Sequence, residues 1–374
     1  MLGTGPIAGI PMTVSVEGGV MATTQKTLTI DADAHVIETD RTWAFMDGEH
    51  EKYKPVTVAP TEGESKRLHW IIDGKIKARR VNIGADTSED SRELHDTAAR
   101  LRHMDELGTD IQVLYPTIYT RKIADDPAAD YALGRSYNRW LAEIWEQGQG
   151  RLRWIAIPPL MDLSKAREEL AFAKEHGACG VFMRGFEGDR HLSDPYFFPL
   201  YEIAMDLDMP ICVHAGTSNP AVANFLGFGS DGGSFLVSKI PVISAFHTLL
   251  LHRTPEKFPT LRFAFMEASA QWVPHILHDL VRRNAQAEGR HLEGVVTDDI
   301  LRDNRMYVAC QTDDDVPYVL QVAGEDNLII GTDYGHADSA SELAALSTLR
   351  NTNPIGTRLA GKILGDNAKT LYAL

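Results

Sequence analysis

"TIDADAHVIE", residues 29–38, ends a short β-branched run with a polar group at every second position. Successive side chains of a strand point to opposite faces, so Asp31, Asp33 and His35 are expected on one face and Ala32, Ala34 and Val36 on the other. A solvated edge strand produces this pattern, and so does a strand whose end feeds a functional site. The rest of the chain decides between them.

Seven further apolar runs follow: "DIQVLY" (110–115), "RWIAIP" (153–158), "GVFMR" (180–184), "PICVH" (210–214), "RFAFME" (262–267), "RMYVA" (305–309) and "NLIIGTD" (327–333). Amphipathic segments lie between them, among them residues 91–108, 130–150 and 164–177, each closing on glycine. Strands alternating with helices predict βα units and a parallel sheet. Eight such units over about 300 residues predict an α/β protein of the (β/α)8 TIM-barrel type, in one domain over residues 27–374. A doubly wound open sheet is the alternative, but no GxGxxG turn follows the first run.

Residues 38–90 interrupt the alternation, and "HWIIDGKIKARR" predicts a hairpin turning at Asp73 and Gly74. An insertion after the first strand falls on the C-terminal face of a barrel. It reads either as a lid or as a decoration packed on the wall. The Gly-rich connection 214–235 lines the pocket or serves as a flexible link. Residues 1–26 precede the first run and are expected to form a disordered leader.

The chain has 374 residues, 44% of them hydrophobic and 24% charged, with a formal net charge of −15. That charge opposes nucleic acid or an anionic membrane as the main partner, since both require a basic patch. Cys179, Cys212 and Cys310 lie in apolar runs without CxxC spacing, and read as buried thiols of a reducing compartment. No signal-peptide n-region and no apolar run of about 18 residues is present, so a cytoplasmic location is expected.

Active sites of such barrels lie at the C-terminal strand ends, and polar residues collect there: Asp33 and His35, Arg184, His214, Glu267, Asp333 and, just beyond, His336. Histidines and carboxylates converging from several strands suit zinc, manganese or iron. Tyr115 and Thr117 follow the second run and read either as substrate contacts or as a strand-ending turn. Trp43, Trp70 and Trp272 read as aromatic pocket walls or as core. His247, His252, His275 and His278 fall on helices and read as structural.

At "DADAHVIE", "SYNRWLAEI", "ICVHAG", "MEASAQWVPHIL" and "GTDYGHAD" the chain resembles the amidohydrolase superfamily, in the amidohydrolase-related branch that includes α-amino-β-carboxymuconate-semialdehyde and γ-resorcylate decarboxylases. The resemblance implies a distorted barrel holding one divalent metal ion, with Asp33, His35, His214 and Asp333 at the ligand positions and Asp333 able to move protons. The first pair is Asp-x-His where many relatives carry His-x-His. Arg184 cannot form the carboxylated lysine of binuclear relatives, which leaves it as a clamp for a substrate carboxylate or as half of a structural salt bridge.

Glu267 stands where decarboxylase relatives often carry histidine, and reads as a base, a ligand or an orienter of His214. Non-oxidative decarboxylation of a small aromatic or unsaturated acid is the expected reaction. Hydrolysis of an amide, lactone, ester or C–C bond by metal-activated water is the alternative. Asp333, His214 and Glu267 are the expected catalytic residues, with Arg184, His336, Tyr115 and Trp272 around the substrate. A homodimer acting on a small carboxylic acid is expected.

Overall fold

Each of the eight runs forms a strand: β1 (Ile30–Val36), β2 (Ile111–Pro116), β3 (Leu152–Ala156), β4 (Ala178–Arg184), β5 (Ile211–His214), β6 (Phe263–Phe265), β7 (Met306–Cys310) and β8 (Leu328–Ile330). The computed structural model describes residues 28–59, 68–224, 235–286, 292, 294–351 and 355–374. The expected leader, and most of the second half of the Gly-rich connection after β5, lie outside the described residues.

The strands are parallel and pair in chain order. The sheet then returns on itself. Tyr334, just past β8, bridges to Ala34 of β1, and the His35 amide donates to the Tyr334 carbonyl at 2.9 Å. Gly331 permits this closure, because a Cβ there would lie 2.4 Å from the Asp33 Cβ. The nearly closed ladder is that of a (β/α)8 TIM barrel and excludes the open doubly wound sheet.

Strands of such a barrel are apolar on both faces because helices cover the outside. Phe265 of β6 meets Phe246 of the outer layer with ring centroids 5.0 Å apart. Helix α1 (Thr97–Leu107) starts where the Asp96 carboxylate accepts from the Ala98 amide and ends at Gly108, whose φ of 67° suits glycine alone without strain. The segment expected as one helix over 91–108 is divided, since Leu94 takes φ 53° and Asp96 caps a new start.

Helix α2 (Pro127–Gln147) carries "SYNRWLAEI". Its Asn138 side chain exchanges two hydrogen bonds with the backbone of Ile157 beyond β3, at 2.9 and 3.0 Å, while Tyr137 and Trp140 are buried. That motif fastens helix to barrel. Helix α3 (Ala166–Glu175), α4 (Ile240–Leu251) and α5 (Val273–Gln286) continue the outer layer.

The insertion forms a three-stranded antiparallel sheet of Val56–Val58, His69–Ile72 and Lys75–Ala78. Its hairpin turns at Asp73 and Gly74, with φ of 48° and 69°, as a two-residue type I′ turn requires. Trp70 is buried edge-on against Trp43 at 5.6 Å, so both indoles belong to the core. The Asp73 carboxylate accepts from the Asp125 and Asp126 amides, and the Gly84 amide donates to Gly335. These bonds anchor the insertion to loops following β2 and β8.

Candidate metal centre

Strand β1 does not alternate as its sequence suggests. Asp31 pairs with Gln112 and Ala34 with Leu114, so Ala32 and Asp33 together oppose one residue of β2. Such a bulge re-aims side chains. Asp33 and His35 enter the barrel mouth, whereas Asp31 takes hydrogen bonds from Gln112 Nε2 (2.9 Å), Thr332 Oγ1 (2.6 Å) and the Thr332 amide (2.9 Å). Arg100 of α1 in turn donates to Gln112 at 2.6 Å. The expectation that all three polar residues share a face is therefore corrected: Asp31 belongs to the scaffold.

Asp33, His35, His214, Glu267 and Asp333 converge from β1, β5, the exit of β6 and the exit of β8. His35 Nε2 lies 3.1 Å from His214 Nε2, 3.3 Å from Asp333 Oδ1, 3.5 Å from Asp33 Oδ1 and 3.8 Å from Glu267 Oε2. His214 Nε2 lies 3.1 Å from Glu267 Oε2 and 3.5 Å from Asp33 Oδ1. An ion with bonds of about 2.1 Å holds neighbouring donors about 3.0–3.4 Å apart, and the three shortest of these separations fall in that range.

Protonation agrees with that spacing. His35 Nδ1 and His214 Nδ1 face the carbonyls of Pro116 and Ala215 at 3.0 and 3.1 Å, which places the ring hydrogens there and leaves both Nε2 lone pairs pointing at each other. Burial, then His336 and His214, hold His35 well below its ordinary range and keep it neutral. Asp33 Oδ1 is buried without a hydrogen-bond partner among the described residues, and Asp333 Oδ1 has only the Nδ1 of His336 beside it, at 2.7 Å. Facing lone pairs and an orphaned carboxylate oxygen are mutually unfavourable until a cation sits among them.

His336 stacks on His35 at 3.9 Å and is tied at both nitrogens. Thr117 Oγ1 donates to the Val36 carbonyl, so the 2.8 Å contact with His336 Nε2 uses the ring's own hydrogen. His336 Nδ1 then faces Asp333 Oδ1 at 2.7 Å, and one proton is held between them. Burial opposes a charge on His336, but Asp333 outweighs it and raises the imidazole above its usual value. Burial pushes Asp333 up to about 6 despite His336. Ser341 Oγ donates to its other oxygen at 2.5 Å.

Backbone strain gathers here as well: Glu267, Ser269 and Asp333 take φ of 55°, 63° and 50°. Burial and then the Asp333 charge push Glu267 well above the usual carboxylate range. A void of about 20 Å³ borders Asp33, Glu267 and Asp333, room for one water.

The other expected contacts are turned to other partners. Tyr115 is fully buried beneath His214, its hydroxyl 2.9 Å from that of Tyr372. Trp272 packs edge-on against Phe246 at 5.0 Å. Arg184 is turned to Glu187, donating from Nε (2.9 Å) and Nη2 (2.6 Å), while Nη1 donates to the carbonyls of Tyr119 and Arg121. Of its two readings, this geometry is the salt bridge.

Glu38 escaped the sequence reading although it closes the opening motif. Buried to 3% exposure, it accepts from the Thr117 and Ile118 amides at 3.0 and 3.1 Å and so sets the turn that holds His336. Burial raises it from 4.5 to about 7. A carboxyl raised in the folded state contributes stability below its unfolded value that is lost as pH rises through the folded one. That gap corresponds to about 3 kcal/mol. Glu38→Gln, which does not titrate and gives up one of the two amide contacts, is expected to be less stable than the wild type at pH 4.5 but to lose less between pH 4.5 and pH 8, as read by urea unfolding at both values.

The sequence profile of the amidohydrolase family matches residues 30–374. No curated protein matches the chain in sequence. Among solved structures, it is similar to an amidohydrolase of Mycobacterium avium subsp. paratuberculosis K-10, at 19% identity and a TM-score of 0.76 over 94% of this chain and 99% of the other. It is also similar to a dihydroxybenzoic acid decarboxylase of Polaromonas sp. JS666 that holds manganese and 2-nitroresorcinol (20% identity, TM-score 0.62, 93% and 97% covered). A third is the 5-carboxyvanillate decarboxylase of Novosphingobium aromaticivorans DSM 12444, a D314N mutant with manganese (18%, TM-score 0.63, 94% and 99%). At these identities the likeness is one of fold. With a family profile spanning nearly every described residue, the chain belongs to the amidohydrolase family of enzymes.

Proposed function

We propose that this enzyme binds one divalent metal ion through Asp33, His35, His214 and Asp333, with Glu267 beside it, and removes CO₂ from a small aromatic or unsaturated carboxylic acid. The observation that carries this reading is the pair of imidazole Nε2 atoms facing each other 3.1 Å apart, with the unpartnered Asp33 Oδ1 3.5 Å from both. The ion supplies Lewis acidity for a substrate carboxylate and an adjacent oxygen. Manganese is the first metal to test, because two decarboxylases of this fold hold it.

The chain's own groups supply the rest. Replacement of a carboxylate by hydrogen on carbon requires a proton donor, and the proton held between His336 and Asp333 stands at the cluster for that purpose. Thr117 fixes the ring so that only Nδ1 can release it. Glu267, kept protonated by burial when the cluster is empty, is a second store. The insertion anchored across the C-terminal face serves as the cover that excludes water.

Hydrolysis is the second reading, favoured by the one-water void beside Asp333 and Glu267. One experiment separates the two. The manganese-loaded enzyme is offered 2,6-dihydroxybenzoate, 5-carboxyvanillate and a panel of lactones and amides, in D₂O and in H₂¹⁸O. Decarboxylation is expected to release CO₂ and leave one deuterium on the carbon that lost it. Entry of ¹⁸O into an organic product without CO₂ establishes hydrolysis instead.

A further inference from the structure

The cation expected to hold a substrate carboxylate is not free to do so: Arg184, paired across the ladder with His214, is engaged by Glu187 at 2.6 Å. A second cation stands near it. Lys239 ends the single π-helical turn Phe235–Lys239 that leads into α4, and the Ser238 carbonyl beside it accepts at 3.2 Å from the amide of Gly216, two residues past His214. The first turn of α4 is also pressed onto the exit of β4, since a Cβ on Gly185 would lie 2.1 Å from the Pro241 carbonyl carbon. The backbone therefore fixes Lys239 at the exits of β4 and β5, beside the mouth that holds the cluster.

Nothing on the protein answers this ammonium. Lys239 is half-buried and makes no hydrogen bond or ion pair among the described residues. The start of a helix is also the end at which the helix dipole disfavours a cation, so neither a partner nor the local fold accounts for it. Its field does reach the cluster. Against burial and the charges of Asp333, Asp338 and Asp33, which raise Glu267, Lys239 acts to lower it. Phe235 and Leu236, in the same turn, are exposed and offer a ring an apolar flank.

We propose that Lys239 binds a second anionic group of the substrate, so that the acid this enzyme takes is a dianion, with one carboxylate on the metal and the other group on the lysine. This rests on the metal-dependent reading above and adds the substrate's second charge to it. A hydrogen bond between an ammonium and an anion, partly withdrawn from water, is worth about tenfold in affinity or more. Acids with a single charge lack it.

The test is a calorimetric titration of benzoate, phthalate, isophthalate and terephthalate into the full-length, manganese-loaded protein at neutral pH, the three dicarboxylates differing only in the spacing of their charges. At least one dicarboxylate is expected to bind about tenfold or more tighter than benzoate. Lys239→Gln is expected to bring that ratio to about one, while Lys239→Arg, which keeps the charge, preserves it. A wild type with no preference for any dicarboxylate, or a preference that survives in Lys239→Gln, overturns the proposal. Manganese content read on the same samples separates the two readings: a chain that retains no metal overturns both, and a loaded chain without the preference overturns this one alone.

Discussion

His214→Ala is expected to abolish metal retention while leaving the fold intact. The wild-type chain, purified without a tag and dialysed, is expected to carry about one equivalent of a transition metal, and the variant is expected to lose affinity by at least about a hundredfold, with turnover at background. The direction follows from what the imidazole contributes. His214 Nε2 is one of two facing lone pairs, with Glu267 Oε2 and Asp33 Oδ1 at 3.1 and 3.5 Å. Removing it opens the shell and takes away one half of the conflict that makes the empty cluster unfavourable. The metal-free variant is thus expected to be no less stable than the metal-free wild type. His35→Ala should behave alike, while His252→Ala, on a ring stacked against His191, should keep its metal. Elemental analysis and thermal unfolding together check this, and a full equivalent retained by both cluster variants overturns the assignment.

Glu187→Ala is expected to cost about 3–5 kcal/mol of stability, the penalty for leaving a buried charge unpaired. Arg184 and Glu187 are 8% and 6% exposed. Glu187 also accepts from the Arg184 amide at 2.7 Å and from Ser218 Oγ at 2.8 Å, so the pair stitches the end of β4 to the loop after β5. Urea unfolding gives the loss. The double variant Arg184→Met with Glu187→Leu is expected to recover most of it, because a well-packed apolar pair avoids the desolvation that the ions incur. If Glu187→Ala costs nothing, Arg184 has another partner within reach, and the carboxylate-clamp reading gains ground.

The barrel was legible because periodicity repeats: eight apolar runs, each short and each followed by an amphipathic segment, admit few other folds. The cluster was legible because strand-end residues of a barrel face one mouth, so Asp33, His35, His214, Glu267 and Asp333 could be placed without any contact being known. What escaped depends on partners distant in sequence. Glu38 acts through amides about eighty residues away, and Arg184 could be assigned only once Glu187 was seen folded back on it. Tyr115 was misplaced for a simpler reason. Its position at a strand end points into the barrel, but Tyr372 from the far end of the chain takes its hydroxyl. Asp31 was misread because a bulge cannot be recognised from alternation, which it breaks.

That extra residue in β1 makes chemistry and scaffold heritable separately. Without it, the acids at 31 and 33 would share one fate, and any drift in one would disturb the other. With it, the outward acid locks the strand through Gln112 and Thr332 while the inward one is free to be exchanged. An Asp-x-His pair and a His-x-His pair then become neighbouring choices on one barrel, reachable by a single replacement that leaves the wall of the fold undisturbed.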